Sequence, residues 1–179
     1  MNELQELESQ HYFGRAKNAV QSFLIHKLLI PKVYLDADWD SWKVDVLAID
    51  RAGVGDIHGV RLVPWESGHG DDHGHSRFLE KTVSAALSDF SGFPGHFRYL
   101  TIVSFEPDKR RWIPSKAIAN QALAADGVGR AGILYVNVTE DDAAVETLLK
   151  AERFRSSKEI VELADRYVAE HTANWEVRE

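Results

Sequence analysis

Cysteine is absent from this 179-residue chain, which excludes a disulfide framework and thiolate chemistry. Long apolar runs are absent too. No stretch approaches the roughly 18 to 20 uncharged apolar residues of a membrane helix. The N-terminal MNELQELESQ is acidic and polar, unlike a secretory signal, so the expected location is cytoplasmic with no membrane contact. Positive charge is scarce: 21 Lys and Arg face 28 Asp and Glu, a net charge of −7. No global field attracts nucleic acid, and any such contact needs a local basic patch. A phosphate-loop GxxxxGK(S/T) and a nucleophile-elbow GxSxG are missing. GVGRAG, at 127–132, precedes a strand instead of joining a strand to a helix, so it fails as a phosphate loop. The Ser, His and Asp residues are too scattered to assert a triad.

The remaining composition is ordinary. Apolar residues make up 44% and charged residues 27%, a balance typical of a soluble domain. The length fits one domain spanning residues 1–179. Apolar Phe13, Ala16, Val20, Phe23, Leu24 and Leu28 recur at helical spacing, predicting a helix from Leu4 to Leu29 that Pro31 ends. VYLD reads as a short strand and DADWDS as a polar loop. Residues 42–50 and 57–63 read as a hairpin with Gly53 and Gly55 in its turn. A Gly-rich loop leads to a helix over 77–90 capped by Ser76, with Phe78, Thr82, Val83 and Ala86 inward. FRYLTIVSF, 97–105, is a central strand. A third helix runs from Ser115 to Asp126, and GILYVNV, 132–138, is a last strand. Thr139 with Asp142 predicts a capping box opening a helix through Lys150, and Ser156 with Glu159 a second one. The final helix carries Ile160, Leu163, Ala164, Tyr167, Val168 and His171 on one stripe. This order predicts a three-layer α/β domain with a mixed sheet of about five strands flanked by helices.

Within the hairpin, Asp45 stands early in one strand and Arg61, sixteen residues on, in the next. This order resembles the restriction-endonuclease-like superfamily, the PD-(D/E)XK nucleases, over residues 4–105. Their core is a helix, a three-strand meander, a helix and another strand. In that resemblance Asp45 matches the first acid, while the acid-x-Lys motif would be Arg61-Leu62-Val63. The resemblance implies two carboxylates converging on a divalent cation, usually Mg²⁺, through oxygen ligands. A guanidinium opposes such a cation: two unit charges ~4 Å apart repel by about 4 kcal/mol at an effective dielectric near 20. The expectation is therefore a degraded metal site in which Arg61 neutralises Asp45 in place of the ion. Read without the resemblance, Asp45 is an ordinary salt-bridged strand aspartate.

Other residues compete for the chemistry. An active Mg²⁺-dependent endonuclease would use Asp45 as metal ligand with Glu80 and Lys81 from the second helix, and Glu6 or Glu8 as a further ligand. Asp56-Ile57-His58 is another acid-x-base triplet, placed by its hairpin turn away from Asp45. His69, His73 and His75 with Asp71 and Asp72 have metal-compatible side chains, but their spacing matches no structural zinc pattern. Lys109, Arg110, Arg111 and Lys116 surround Trp112 as a basic cluster suited to a phosphate backbone. Trp39, Trp42, Trp65, Trp112 and Trp175 flank elements and read as core or shell residues. The resulting expectation is a nuclease-like module, non-catalytic or weakly active, that binds a DNA or RNA backbone or a protein partner, in the nucleic-acid-processing or defence setting that the resemblance implies. No cofactor is expected unless it is active, when Mg²⁺ is. The other readings are the active endonuclease and a small α/β interaction module. Oligomeric state is not legible.

Overall fold

The computed structural model describes residues 3–50, 55–65, 79–105, 131–154 and 156–176. The first helix, α1 (Glu3–His26), buries Ala16, Val20 and Leu24 completely. Their four-residue spacing puts them on one stripe. The chain then turns through Leu29 at φ 57°, and the Ile30 N–H returns to the Leu24 carbonyl at 3.1 Å. Glycine usually takes this left-handed position at a helix end.

Three strands follow: β1 (Lys32–Trp39), β2 (Trp42–Ile49) and β3 (Ile57–Pro64). They form an antiparallel meander. DADWDS is not a loop. Ala37 and Trp39 are buried, and only Asp40 and Ser41 turn, both at positive φ. That is the two-residue turn whose twist matches paired strands, and it is closed by the Trp39–Trp42 pair.

Beyond β3, a π-helical turn at Leu79–Val83 runs into α2 (Ser84–Phe90). Next come β4 (Phe97–Ser104) and β5 (Gly132–Val138), with β3, β4 and β5 parallel. The predicted helix after Thr139 is instead strand β6 (Ala143–Leu149), antiparallel to β5. Thr139 and Asp142 do bond each other, as the corner of that hairpin. Helix α3 (Lys158–Glu170) starts after Ser157, and the Ser156 hydroxyl donates to the Pro94 carbonyl instead of capping. Finally β7 (Trp175–Glu176) pairs with β1. The open mixed sheet has seven strands in the order β6-β5-β4-β3-β2-β1-β7, two more than expected because β6 and β7 are strands. The predicted helix over 115–126 and the Ser76 cap lie outside the described residues. Among the described residues no helix is long and apolar enough to cross a membrane.

Two helical layers enclose the sheet. On one face α1 packs on Val46, Ala48, Val60 and Leu62. On the other, α2 and α3 pack with Leu47, Ile49, Trp39 and Phe93 in one cluster, and α2 also covers Leu100 and Ile102. Strand alternation sends neighbouring side chains to opposite faces, which is why Val60 and Leu62 meet α1. Gly59, the residue before Val60, faces the other way and leaves that face to the Phe93 ring. A Cβ there would meet Phe93 Cε1 and Cζ at 2.5 Å. The order α1-β1-β2-β3-α2-β4 is the one the resemblance implies, and the three-layer α/β architecture is as expected.

Gly59→Ala should destabilise the domain by about 1–3 kcal/mol through overpacking. Gly14→Ala, mid-helix with nothing within 4 Å of the added carbon, should stabilise it by about 0.5–1 kcal/mol. Urea denaturation of both variants checks the pair; equal effects would contradict the packing described.

Candidate functional site

Asp45 sits where the outer arm of the β1–β2 hairpin turns over. Leu35 and Val46 pair across the strands and pack on the α1 side. The pair two residues on, Ala37 and Val44, packs with Phe90 and Phe93 on the opposite side. Strict alternation would have kept both pairs on one face. The change of face falls at Asp36 and Asp45, and Asp36 absorbs it at φ 51°. Aspartate tolerates this left-handed conformation better than most side chains.

The β2–β3 ladder has its last pair at Val46 and Val60. Past it, the Leu62 N–H donates to Asp45 Oδ2 at 2.7 Å, so a side-chain oxygen continues the pairing. Asp45 Oδ1 lies 3.7 Å from Lys17 Nζ, and the same ammonium binds Asp36 Oδ1. Lys17 is only 18% exposed at its side chain. One α1 lysine thus bridges two strand carboxylates. The carboxylate is held by a charge-assisted bond worth on the order of 1.5–3 kcal/mol and by an ammonium.

Arg61 does not pair with Asp45, contrary to expectation. It lies between Val60 and Leu62, which meet α1, so its side chain leaves on the other face. Lys81 also departs from expectation. It is exposed on the turn leading into α2, across the sheet from the Asp45 carboxylate, and the two are not brought together. The Glu80 and Glu6 side chains lie outside the described residues, as do Lys109, Arg110, Arg111, Lys116 and the His69 to His75 loop. Glu8 is exposed on α1. Trp39 and Trp65 are buried as expected.

The resemblance implies a divalent cation beside Asp45. Hard cations need about six oxygen ligands. Both oxygens of Asp45 already have partners, and among the described residues no group of three or more His, Asp or Glu side chains converges. The place between the Asp36 and Asp45 carboxylates is taken by the Lys17 ammonium, which a cation would have to displace. Sequence reasoning missed Lys17 and Asp36; the one available signal was a lysine directly beside the Ala16–Val20 stripe.

A second polar group lies near the start of β3. Asp56 accepts from Arg153 Nε at 2.9 Å. The Ile57 N–H donates to His96 Nδ1 at 3.1 Å, so that nitrogen carries no proton. The His58 ring stacks on Phe97 at 4.5 Å between centroids, nearly parallel. Burial pushes the His58 imidazole down to about 4, against a raising influence from Asp56 and with a smaller lowering one from His96. Burial also lowers His96.

Unfolded imidazoles titrate near 6.5. Between there and about 4 the unfolded chain binds a proton that folded His58 refuses. Stability is therefore full above about pH 6.5 and falls as pH drops toward 4, by about 3 kcal/mol for His58. His58→Phe, which keeps a ring against Phe97, should flatten the urea-unfolding free energy between pH 7 and 4.5. Parallel acid limbs in the two proteins would refute this.

No family model matches the chain, and no curated protein matches it. Among solved structures, SPO1766, a protein of unknown function from Silicibacter pomeroyi, is 10% identical with a TM-score of 0.52, over 89% of this chain and 85% of its own. SfsA of Pyrococcus furiosus, solved in complex with Ca²⁺, is 13% identical with a TM-score of 0.32, over 78% of this chain and 64% of its own. SSO0001 is 11% identical with a TM-score of 0.23, over 87% and 58%. The likeness to SPO1766 is one of fold; the other two are too slight to bear on this chain.

Proposed function

We propose that this is a nuclease-like module that binds a nucleic-acid backbone without cleaving it. One observation carries the reading: Lys17 and the Leu62 N–H hold the Asp45 carboxylate where the resemblance implies a divalent cation. An ammonium in that place supplies the positive charge that balances Asp36 and Asp45. It cannot polarise a phosphate or lower the pKa of water as a metal does. Asp45 then serves the fold, completing the β2–β3 pairing, and among the described residues no carboxylate cluster is left on this face to hold a catalytic metal. Affinity for a backbone falls to the basic cluster Lys109, Arg110, Arg111 and Lys116, whose contacts are independent of sequence and sensitive to salt. A protein partner is the outcome to expect if that cluster has no affinity for DNA or RNA.

Calorimetric titration with Mg²⁺ or Mn²⁺ should give no saturable heat in the unaltered protein, and plasmid nicking with Mn²⁺ should stay at background. Lys17→Ala should release the two carboxylates and create weak Mn²⁺ binding, abolished again by Asp45→Ala. Saturable metal binding in the unaltered protein, lost on Asp45→Ala, would overturn the reading. Labelled duplex DNA should bind at 50 mM salt and lose at least about tenfold in affinity by 200 mM. Replacing Arg110 and Arg111 by Ala should weaken binding; unchanged affinity removes the cluster from the proposal.

A further inference from the structure

A half-enclosed cavity of about 530 Å³ opens beside the C-terminal end of α1, on the α1 side of the sheet. This volume lies within the range of small-molecule sites. Its walls are mainly apolar and aromatic. Phe23 and Ile30 come from α1 and the turn after it, Phe97 and Tyr99 from β4, and Leu134 from β5. His58 joins them, with its ring plane within 10° to 12° of those of Tyr99 and Phe97.

Two independent features distinguish this cavity from a packing defect. First, His58 is only 7% exposed, and its Nδ1 is buried with no hydrogen-bond partner among the described residues. Buried polar atoms are nearly always paired, and one left alone costs about 1–3 kcal/mol. Second, the large hydrophobic side chains exposed among the described residues are Leu28 and Leu29. Leu28 lines the cavity, and Leu29 beside it holds a left-handed backbone that a leucine adopts only at some cost. The mouth therefore has an apolar lip.

The charges at the cavity do not call for an ionic ligand. Asp56 is already paired with Arg153 at 2.8 Å, and Asp50 and Lys150 bring opposite signs. Burial leaves His58 uncharged at neutral pH and raises Tyr99 to about 12, so the phenol also stays neutral. We propose that this cavity binds a neutral aromatic molecule carrying a hydroxyl or amide group, with the rings of Phe97 and Tyr99 as its platform and His58 as its polar contact. The Asp56-Ile57-His58 triplet then has a use unrelated to phosphodiester chemistry: Asp56 anchors Arg153, and His58 recognises the ligand.

The test uses 2-naphthol, a two-ring molecule with one hydroxyl, against naphthalene, which lacks it. On the full chain 2-naphthol should bind saturably with a Kd on the order of 0.1 mM. His58→Phe should weaken 2-naphthol about 3–10-fold and leave naphthalene within about twofold. Thr147 lies exposed on β6 and lines the cavity, so Thr147→Trp blocks the site without entering the core and should weaken both ligands at least about tenfold. The proposal is overturned if 2-naphthol shows no saturable binding at 2 mM. It is equally overturned if Thr147→Trp leaves binding unchanged, or if His58→Phe affects both ligands alike. Should His58→Phe fail to fold, the Thr147→Trp result still decides.

Discussion

A single lysine ammonium between two strand carboxylates organises this end of the molecule. Where the β1–β2 hairpin changes face, Asp36 and Asp45 occupy neighbouring strands. Two like charges on neighbouring strands repel, and Asp45 is the more enclosed of the two, since the Asp36 side chain is largely exposed. Lys17 reaches down from α1 to both. It thereby ties the first helix to the hairpin at the point where the sheet needs an unusual backbone, and it frees Asp45 to accept the Leu62 N–H. Helix docking, strand pairing and charge balance thus meet in one residue.

This arrangement answers why a carboxylate stands in a strand that is otherwise apolar. In a metal-dependent nuclease the answer is the ion. Here the acid has structural work of its own, because a ladder that ends at Val46–Val60 leaves the next inward N–H to be satisfied. A fold and the chemistry it hosts are separate questions, and what the structure gives Asp45 is a part in the fold.

The sequence made some of this legible and hid the rest for physical reasons. The α1 stripe through Leu24, the two strands of the β2–β3 hairpin and the β4 and β5 runs have strong periodicity or β-branched content and form as read. The helix itself ends at His26 and leaves Leu28 exposed. Gly53 of the predicted turn lies outside the described residues. Segments that failed are those where local chemistry points two ways. AAVETLL has good helix formers behind a Thr–Asp pair, yet β5 needs a partner on its open side, and tertiary pairing wins over propensity. DADWDS is polar by count, but its alternate Ala37 and Trp39 fill the core. Arg61 was the natural partner for Asp45 by strand position. The local change of face at Asp36 and Asp45 sends the carboxylate to α1 instead, and nothing in the residue types alone announces such a turnover.

The same change of face separates the two polar centres of the α1 side. Lys17 serves the carboxylates near the middle of the helix, while the C-terminal end of α1 stops short and leaves the His58 cavity beneath Leu28. A helix that continued beyond His26 would carry its apolar stripe over that space. It ends because Pro31 and the left-handed Leu29 redirect the chain into β1. The cavity is thus a consequence of where the first helix terminates. His58 enters it from β3, where alternation turns His58 and Val60 toward α1 while Gly59 leaves the opposite face to Phe93. Small changes in the α1–β1 turn would reshape the cavity mouth without touching the Lys17 contacts, which makes the two centres separable by mutation.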